Sequence, residues 1–217
     1  MKLAHLFLAL LALATAGAQR ASAQDGDLLD HVQNGYGPVA TTQHLMGIPS
    51  WRYYELQTSA VAFCFSNDTA GACPCGNSTT ADWGRGGCPG LGERNPRLEV
   101  FGQTRFGQVG GSDFARILAD FVGDGPVILL QADTATLQGR PFGNGLLCLG
   151  TSMRRVATTM AYNGFAMVPP APGYNLTARF GVTQPGWRYY QLAYRQPYGF
   201  CNPGAVGFTN AVGVLWN

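Results

Sequence analysis

The chain has 217 residues, of which 12% are charged and 30 are glycine, against roughly 25% charged residues in an ordinary soluble domain. Removal of residues 1–23 would leave 194 residues (217 minus 23) with 12 Arg, 12 acidic residues and no Lys, because Lys2 and Arg20 carry the whole formal +2. A near-neutral, lysine-free chain of this length excludes a basic nucleic-acid binder, a disordered polyelectrolyte and a long coiled coil, and leaves room for one domain with a sizeable core.

Met1 and Lys2, an apolar run over 3–16 and the small residues Ala21-Ser22-Ala23 predict a secretory signal peptide cleaved after Ala23. No later segment offers the roughly 18 consecutive apolar residues that cross a bilayer, so a secreted product without a transmembrane anchor is expected, extracellular or at the cell surface. Residues 24–50, with Asp25, Asp27 and Asp30, read as a loose arm or edge strand. Residues 51–65 are aromatic and β-branched without Pro or Gly and predict a strand.

From 64 to 92 the composition turns to Gly, Asn, Asp, Thr, Cys and Pro, a loop that buries little apolar surface and needs cross-links to be ordered. All six cysteines, Cys64, Cys73, Cys75, Cys88, Cys148 and Cys201, follow the predicted cleavage site. An even number in an oxidising compartment predicts three disulfides, with 15 possible connectivities. A Cys73–Cys75 bridge is disfavoured because Pro74 fixes the intervening backbone. The alternative, a zinc ion held by Cys64, Cys73, Cys75 and Cys88, suffers from a Cys-Pro-Cys spacing one residue too tight for a usual ligand pair.

Further strands are expected over 97–106, 127–131, 146–149, 153–161, 176–182, 187–194 and 208–216, separated by Gly, Pro and Asn. One short helix is expected over 112–121, where Phe114, Ile117, Leu118 and Phe121 follow i, i+3, i+4, i+7 behind a Ser112 or Asp113 cap. Many short strands with such turns predict a mainly β single domain, a β-sandwich or jelly roll.

Two patterns cut across these elements. Trp51-Arg52-Tyr53-Tyr54-Glu55-Leu56 returns as Trp187-Arg188-Tyr189-Tyr190-Gln191-Leu192, each followed by a Phe-Cys pair, Phe63-Cys64 and Phe200-Cys201. A single recurrence is not a solenoid; it fits either convergence on good strand residues or a pseudo-symmetric pair of strand-to-Cys units. Charge is also polarised: residues 24–133 hold 12 acids and 6 Arg, and residues 134–217 hold 6 Arg and no acid. The halves either pair strands of opposite sign within one domain or set up head-to-tail association into a homo-oligomer or extracellular surface polymer.

Phe63-Cys64-Phe65, Cys73-Pro74-Cys75-Gly76-Asn77 and Gly87-Cys88, with Pro141-Phe142-Gly143-Asn144-Gly145-Leu146-Leu147-Cys148, Tyr189-Tyr190-Gln191-Leu192 and Phe208-Thr209-Asn210-Ala211-Val212, carry a resemblance. Over about residues 63–217 the chain resembles a group of uncharacterised exported bacterial proteins that are stapled by cysteines and rich in β structure. The resemblance implies an exported, disulfide-linked β-domain and no particular activity.

No catalytic motif is present. His31 and His44 stand outside any metal-ligand pattern, and there is no Gly-x-Ser-x-Gly elbow. A carboxylate-pair hydrolase would draw on Glu55, Glu93, Glu99, Asp113, Asp120, Asp124 or Asp133. Asp68 alone is too few oxygens for calcium, and no cofactor or metal is predicted. Trp51, Tyr53, Trp187, Tyr189 and Tyr194 are the candidate ligand-binding residues, because rows of strand aromatics can stack on sugars, although the same residues also fill β cores. The expected role is an exported structural or interaction protein. A carbohydrate-binding module and a secreted hydrolase are the alternatives.

Overall fold

The computed structural model describes residues 60–79, 85–90, 94–102, 104, 115–168, 176–196, 201 and 206–217. The signal peptide, the arm over 24–50, Trp51, Tyr53 and the first copy of the Trp-Arg-Tyr-Tyr repeat lie outside these residues. The described elements in chain order are β1 (Ala60–Phe63), β2 (Arg97–Phe101), β3 (Arg116–Asp120), β4 (Gly125–Ala132), β5 (Ala135–Phe142), β6 (Gly145–Leu149), β7 (Arg154–Ala161), β8 (Phe165–Val168), α1 (Leu176–Arg179), β9 (Gly186–Arg195) and β10 (Val206–Trp216).

A five-stranded sheet in the order β1-β10-β9-β4-β7 forms the centre, accompanied by a three-stranded sheet β2-β3-β8 and a two-stranded hairpin β5-β6. Every strand pairing is antiparallel. Successive side chains of a strand point to opposite faces, and both faces of β9 and β10 are covered. On one face, Tyr190, Leu192, Tyr194, Val212, Val214 and Trp216 join Leu98, Ile117, Ala119, Ala166 and Val168 of the three-stranded sheet in the main core. On the other, Ala132, Ala193 and Phe208 meet Leu147 and Leu149 of the hairpin, while Phe63 and Ala211 meet Cys64, Cys88, Leu146 and Cys148. Double coverage is why the polar residues Gln191, Thr209 and Asn210 are buried to within 1% and must find partners inside the protein.

Their partners sit at irregularities of the ladder. In β10, Thr209 and Asn210 together face one residue of β9, a bulge between the pairs Phe208↔Ala193 and Ala211↔Gln191. The bulged residues turn their side chains to the neighbours: the Leu192 N–H donates to Thr209 Oγ1 at 3.1 Å. Asn210 accepts from the Leu98 N–H at 2.8 Å and donates to its carbonyl at 3.1 Å, standing in for a strand along the edge of β2. A second irregularity separates Ala135↔Leu149 from Arg140↔Leu147. Gln191 reaches across to Cys148, which falls within it: Oε1 accepts from the Cys148 N–H at 3.0 Å, and Nε2 donates to the Leu146 and Thr209 carbonyls, both at 2.8 Å.

Two secondary-structure expectations are corrected. The helix expected over 112–121 is a strand, β3, from Arg116 onward; Ser112, Asp113 and Phe114 lie outside the described residues. Small Ala119 alternates inward with Ile117 while Leu118 and Asp120 are half-buried, so the burial period is two, and Phe121 at φ 57° ends the run. Conversely, the strand expected over 176–182 begins with the helix α1. Leu176 and Phe180, four apart, are both buried in the main core, the Phe180 N–H donates to the Leu176 carbonyl at 2.8 Å, and Gly181 at φ 59° terminates the turn. β5 and β8 have no counterpart among the expected strands: β5 carries Gly139, Arg140 and Pro141, and the apolar run of β8 spans only four residues.

Candidate functional site

The loop over 64–92 is fixed from three directions. Cys64 is bonded to Cys148, Cys73 to Cys88 and Cys75 to Cys201, so the six expected cysteines form three disulfides and no free thiol remains to hold zinc. The first bond joins the end of β1 to β6, 84 residues apart, and the third spans 126 residues. The Cys64 and Cys148 sulfurs and the Cys73–Cys88 pair lie in the buried core beneath the loop, whereas Cys75 is half-buried and Cys201 exposed.

Hydrogen bonds join the cross-links in ordering this loop. Ser66 and Asn95 are buried, and Asn95 Nδ2 lies within hydrogen-bonding reach of Ser66 Oγ at 2.5 Å, Thr79 Oγ1 at 3.0 Å and the Gly87 carbonyl at 3.0 Å. The Ser66 N–H donates to the Gly86 carbonyl and the Thr79 N–H to that of Ser66, each at 2.9 Å. The Gly139 N–H donates to the Ala70 carbonyl at 2.6 Å, which seats the loop on β5. Gly87 packs so closely on the β10 bulge that a Cβ there would overlap the Phe208 carbonyl. The tip, Asn67-Asp68-Thr69, faces outward, with Asn67 Oδ1 accepting from Thr69 Oγ1 at 2.6 Å.

The candidate aromatics divide by face of β9. Tyr194 is 2% exposed, its ring lies over Gly207, and its hydroxyl accepts from Gln196 Nε2 at 3.3 Å. It therefore packs in the core and offers no ring to a ligand. Trp187 and Tyr189 point to the opposite face, where Trp187 is 38% exposed and Tyr189 half-buried. Their ring planes lie 13° apart with centroids 6.5 Å apart, and Phe63 braces Tyr189 edge-on at 6.0 Å. Arg188 between them turns to the other side, where its Nε lies 3.2 Å from Asp133 Oδ1 and its Nη1 donates to the Trp187 carbonyl at 2.7 Å. This ion pair joins the acidic and basic halves of the sequence within one chain.

Of the named carboxylates, Glu55, Glu93 and Asp113 lie outside the described residues. Asp124 Oδ1 accepts from the Gly164 N–H in a turn and Asp133 pairs with Arg188. Glu99 and Asp120 reach one face of the three-stranded sheet, on the registers Glu99↔Leu118 and Arg97↔Asp120. Burial pushes the Glu99 carboxyl from 4.5 up to about 7, the Arg97 charge opposing that rise and the Asp120 charge adding to it. Asp120 Oδ1 accepts from the Phe121 N–H at 2.9 Å, a strand-end role.

Sequence reasoning missed Gln191, Asn95 and Asn210 as the polar hubs beneath the loop and the bulge. For Gln191 and Asn210 the signal was a polar residue inside an apolar run, as in Tyr190-Gln191-Leu192 and Asn210-Ala211-Val212, whereas Asn95, between Arg94 and Pro96, carried none. Compared with family models, with curated proteins and with solved structures, the chain finds no match in any of the three.

Proposed function

We propose that this chain is an exported structural or interaction protein of the cell surface or extracellular space, and that its cysteine-stapled loop is a rigid protrusion presented by the β-domain. The observation that carries this reading is the cross-linking of the loop to distant parts of the domain. Two of the three disulfides tie the loop to Cys148 and Cys201, far along the chain, and the buried Ser66–Asn95 network holds its base. A surface locked in this way is pre-ordered for contact, since little conformational entropy is lost when it binds. Disulfides persist in oxidising compartments, and among the described residues no helix is long and apolar enough to cross a membrane. The predicted signal peptide and the resemblance to exported cysteine-stapled proteins support the same reading.

The test uses the oxidised chain from residue 24. Sedimentation at low and high salt, together with retention on the surface of the producing cells, should reveal either salt-sensitive self-association or a saturable surface partner. A monomer at both salt concentrations that cells do not retain would remove the proposal.

A further inference from the structure

We propose that Trp187 and Tyr189 form a carbohydrate-binding platform that stacks on the pyranose ring of an extracellular polysaccharide. The inference rests on the reading of the chain as an exported interaction protein and names the ligand class of one surface.

Tryptophan is on average a well-buried residue, yet Trp187 is 38% exposed beside β10, a strand that is almost wholly buried. It lies next to Tyr189 with nearly parallel rings, 13° apart. The strand opposite makes room for both. Gly213 of β10 faces Tyr189 and Leu215 faces Trp187. A Cβ at Gly213 would come within 3.2 Å of Tyr189 Cε1 and 3.4 Å of Trp187 Cε3, so glycine lets the two rings reach across the strand.

The pair is also held in place. Phe63 packs edge-on against Tyr189, while the Arg188 guanidinium, anchored by Asp133, donates to the Trp187 carbonyl and pins the main chain between the rings. Arg188 and Asp133 are thus positioning residues.

Two parallel rings on a braced strand offer broad π faces at low cost in side-chain freedom. Those faces carry negative charge density and attract weakly positive C–H groups. A pyranose ring presents such C–H groups on one face and hydroxyls at its rim that remain hydrated, so it covers the rings without burying unpaired polar groups. An apolar protein surface would instead need a wide contiguous patch, whereas among the described residues Trp187 is the only exposed large apolar side chain of β9 and β10.

The oxidised chain from residue 24 is tested on a printed array of oligosaccharides and by co-sedimentation with insoluble cellulose, chitin and xylan. At least one of these glycans should be retained. Trp187→Ala should weaken that binding about tenfold or more, the loss of one good ring contact, while still unfolding cooperatively in urea, and Trp187→Phe should restore part of it. Phe142→Ala removes another exposed ring, 53% accessible at the end of β5, and should bind as the parent does. Retention of no glycan, or equal binding by Trp187→Ala, overturns the platform. If glycans are ignored while salt-sensitive self-association or cell-surface capture persists, the platform falls and the interaction-protein reading stands. Loss of self-association on Trp187→Ala, without glycan binding, reassigns the rings to a second copy of the chain and likewise overturns the proposal.

Discussion

Gln191→Leu tests whether one buried amide holds the hairpin and the cysteine loop onto the central sheet. Leucine has nearly the size of glutamine, so the substitution leaves little cavity and isolates the hydrogen bonds. Three backbone groups lose their side-chain partner: the Cys148 N–H and the Leu146 and Thr209 carbonyls. Thr209 is in the β10 bulge and Cys148 lies opposite the irregular stretch of β5, so the regular ladder does not replace what Gln191 provides. Stranding a buried backbone group costs about 1–3 kcal/mol. Three at the low end give about 3 kcal/mol, and the added apolar burial of leucine offsets only part of any larger sum. In urea, with a slope near 2–3 kcal/mol per molar for a domain of this size, the midpoint should fall by about 1 M. Hydrogen exchange should show the Cys148 amide losing protection first. A midpoint within about 0.3 M of the parent, with Cys148 still protected, would refute the idea that Gln191 repairs both irregularities.

Other expectations follow from the same contacts. Gly87→Ala forces a Cβ into the Phe208 carbonyl and should destabilise by about 3 kcal/mol or more, whereas Gly76→Ala, with nothing within 4 Å, should cost only the strain of its positive φ of 66°; paired urea titrations would compare them. Under mild reductant and alkylation, mass spectrometry should find Cys75 and Cys201 labelled before the buried Cys64–Cys148 and Cys73–Cys88 pairs, because exchange requires access to sulfur. Replacing Cys64 and Cys148 together by Ala opens a loop of 84 residues and should remove about 4–5 kcal/mol in the chain-entropy view. Glu99 makes the pH dependence specific: its folded carboxyl titrates near 7 against 4.5 when free, so the folded state binds the proton more tightly. Stability from this group is full below 4.5, declines as pH rises through the window, and levels off above 7, a change of about 3 kcal/mol at 1.36 kcal/mol per pH interval of one. Urea midpoints from pH 5 to 8 should fall for the parent and stay flatter for Glu99→Gln; parallel curves would show that Glu99 is not the group responsible.

Strand content and the cysteine framework were legible in the residues themselves. Alternation, Gly and Pro punctuation and the aromatic, β-branched runs pointed to strands over 97–106, 127–131, 146–149, 153–161, 187–194 and 208–216, where β2, β4, β6, β7, β9 and β10 lie, β2 ending already at Phe101, because these are local properties of the backbone and of which face a side chain turns to. An even set of cysteines after a predicted leader pointed to three bonds. Their partners came only from the fold: Cys75 meets Cys201 across 126 residues, and no spacing encodes a contact set by the return of a distant strand. Residues 112–121 and 176–182 were misread because Ile117 and Leu176 fit both periods, and only the surface each packs against chooses between them. The candidate rings show the same division. Trp187, Tyr189 and Tyr194 share one aromatic run, and only the layers above and below β9 decided that Tyr194 would be sealed in the core while Trp187 stayed in contact with water. A sequence specifies which side chains alternate; burial on either side depends on what the rest of the chain brings to each face.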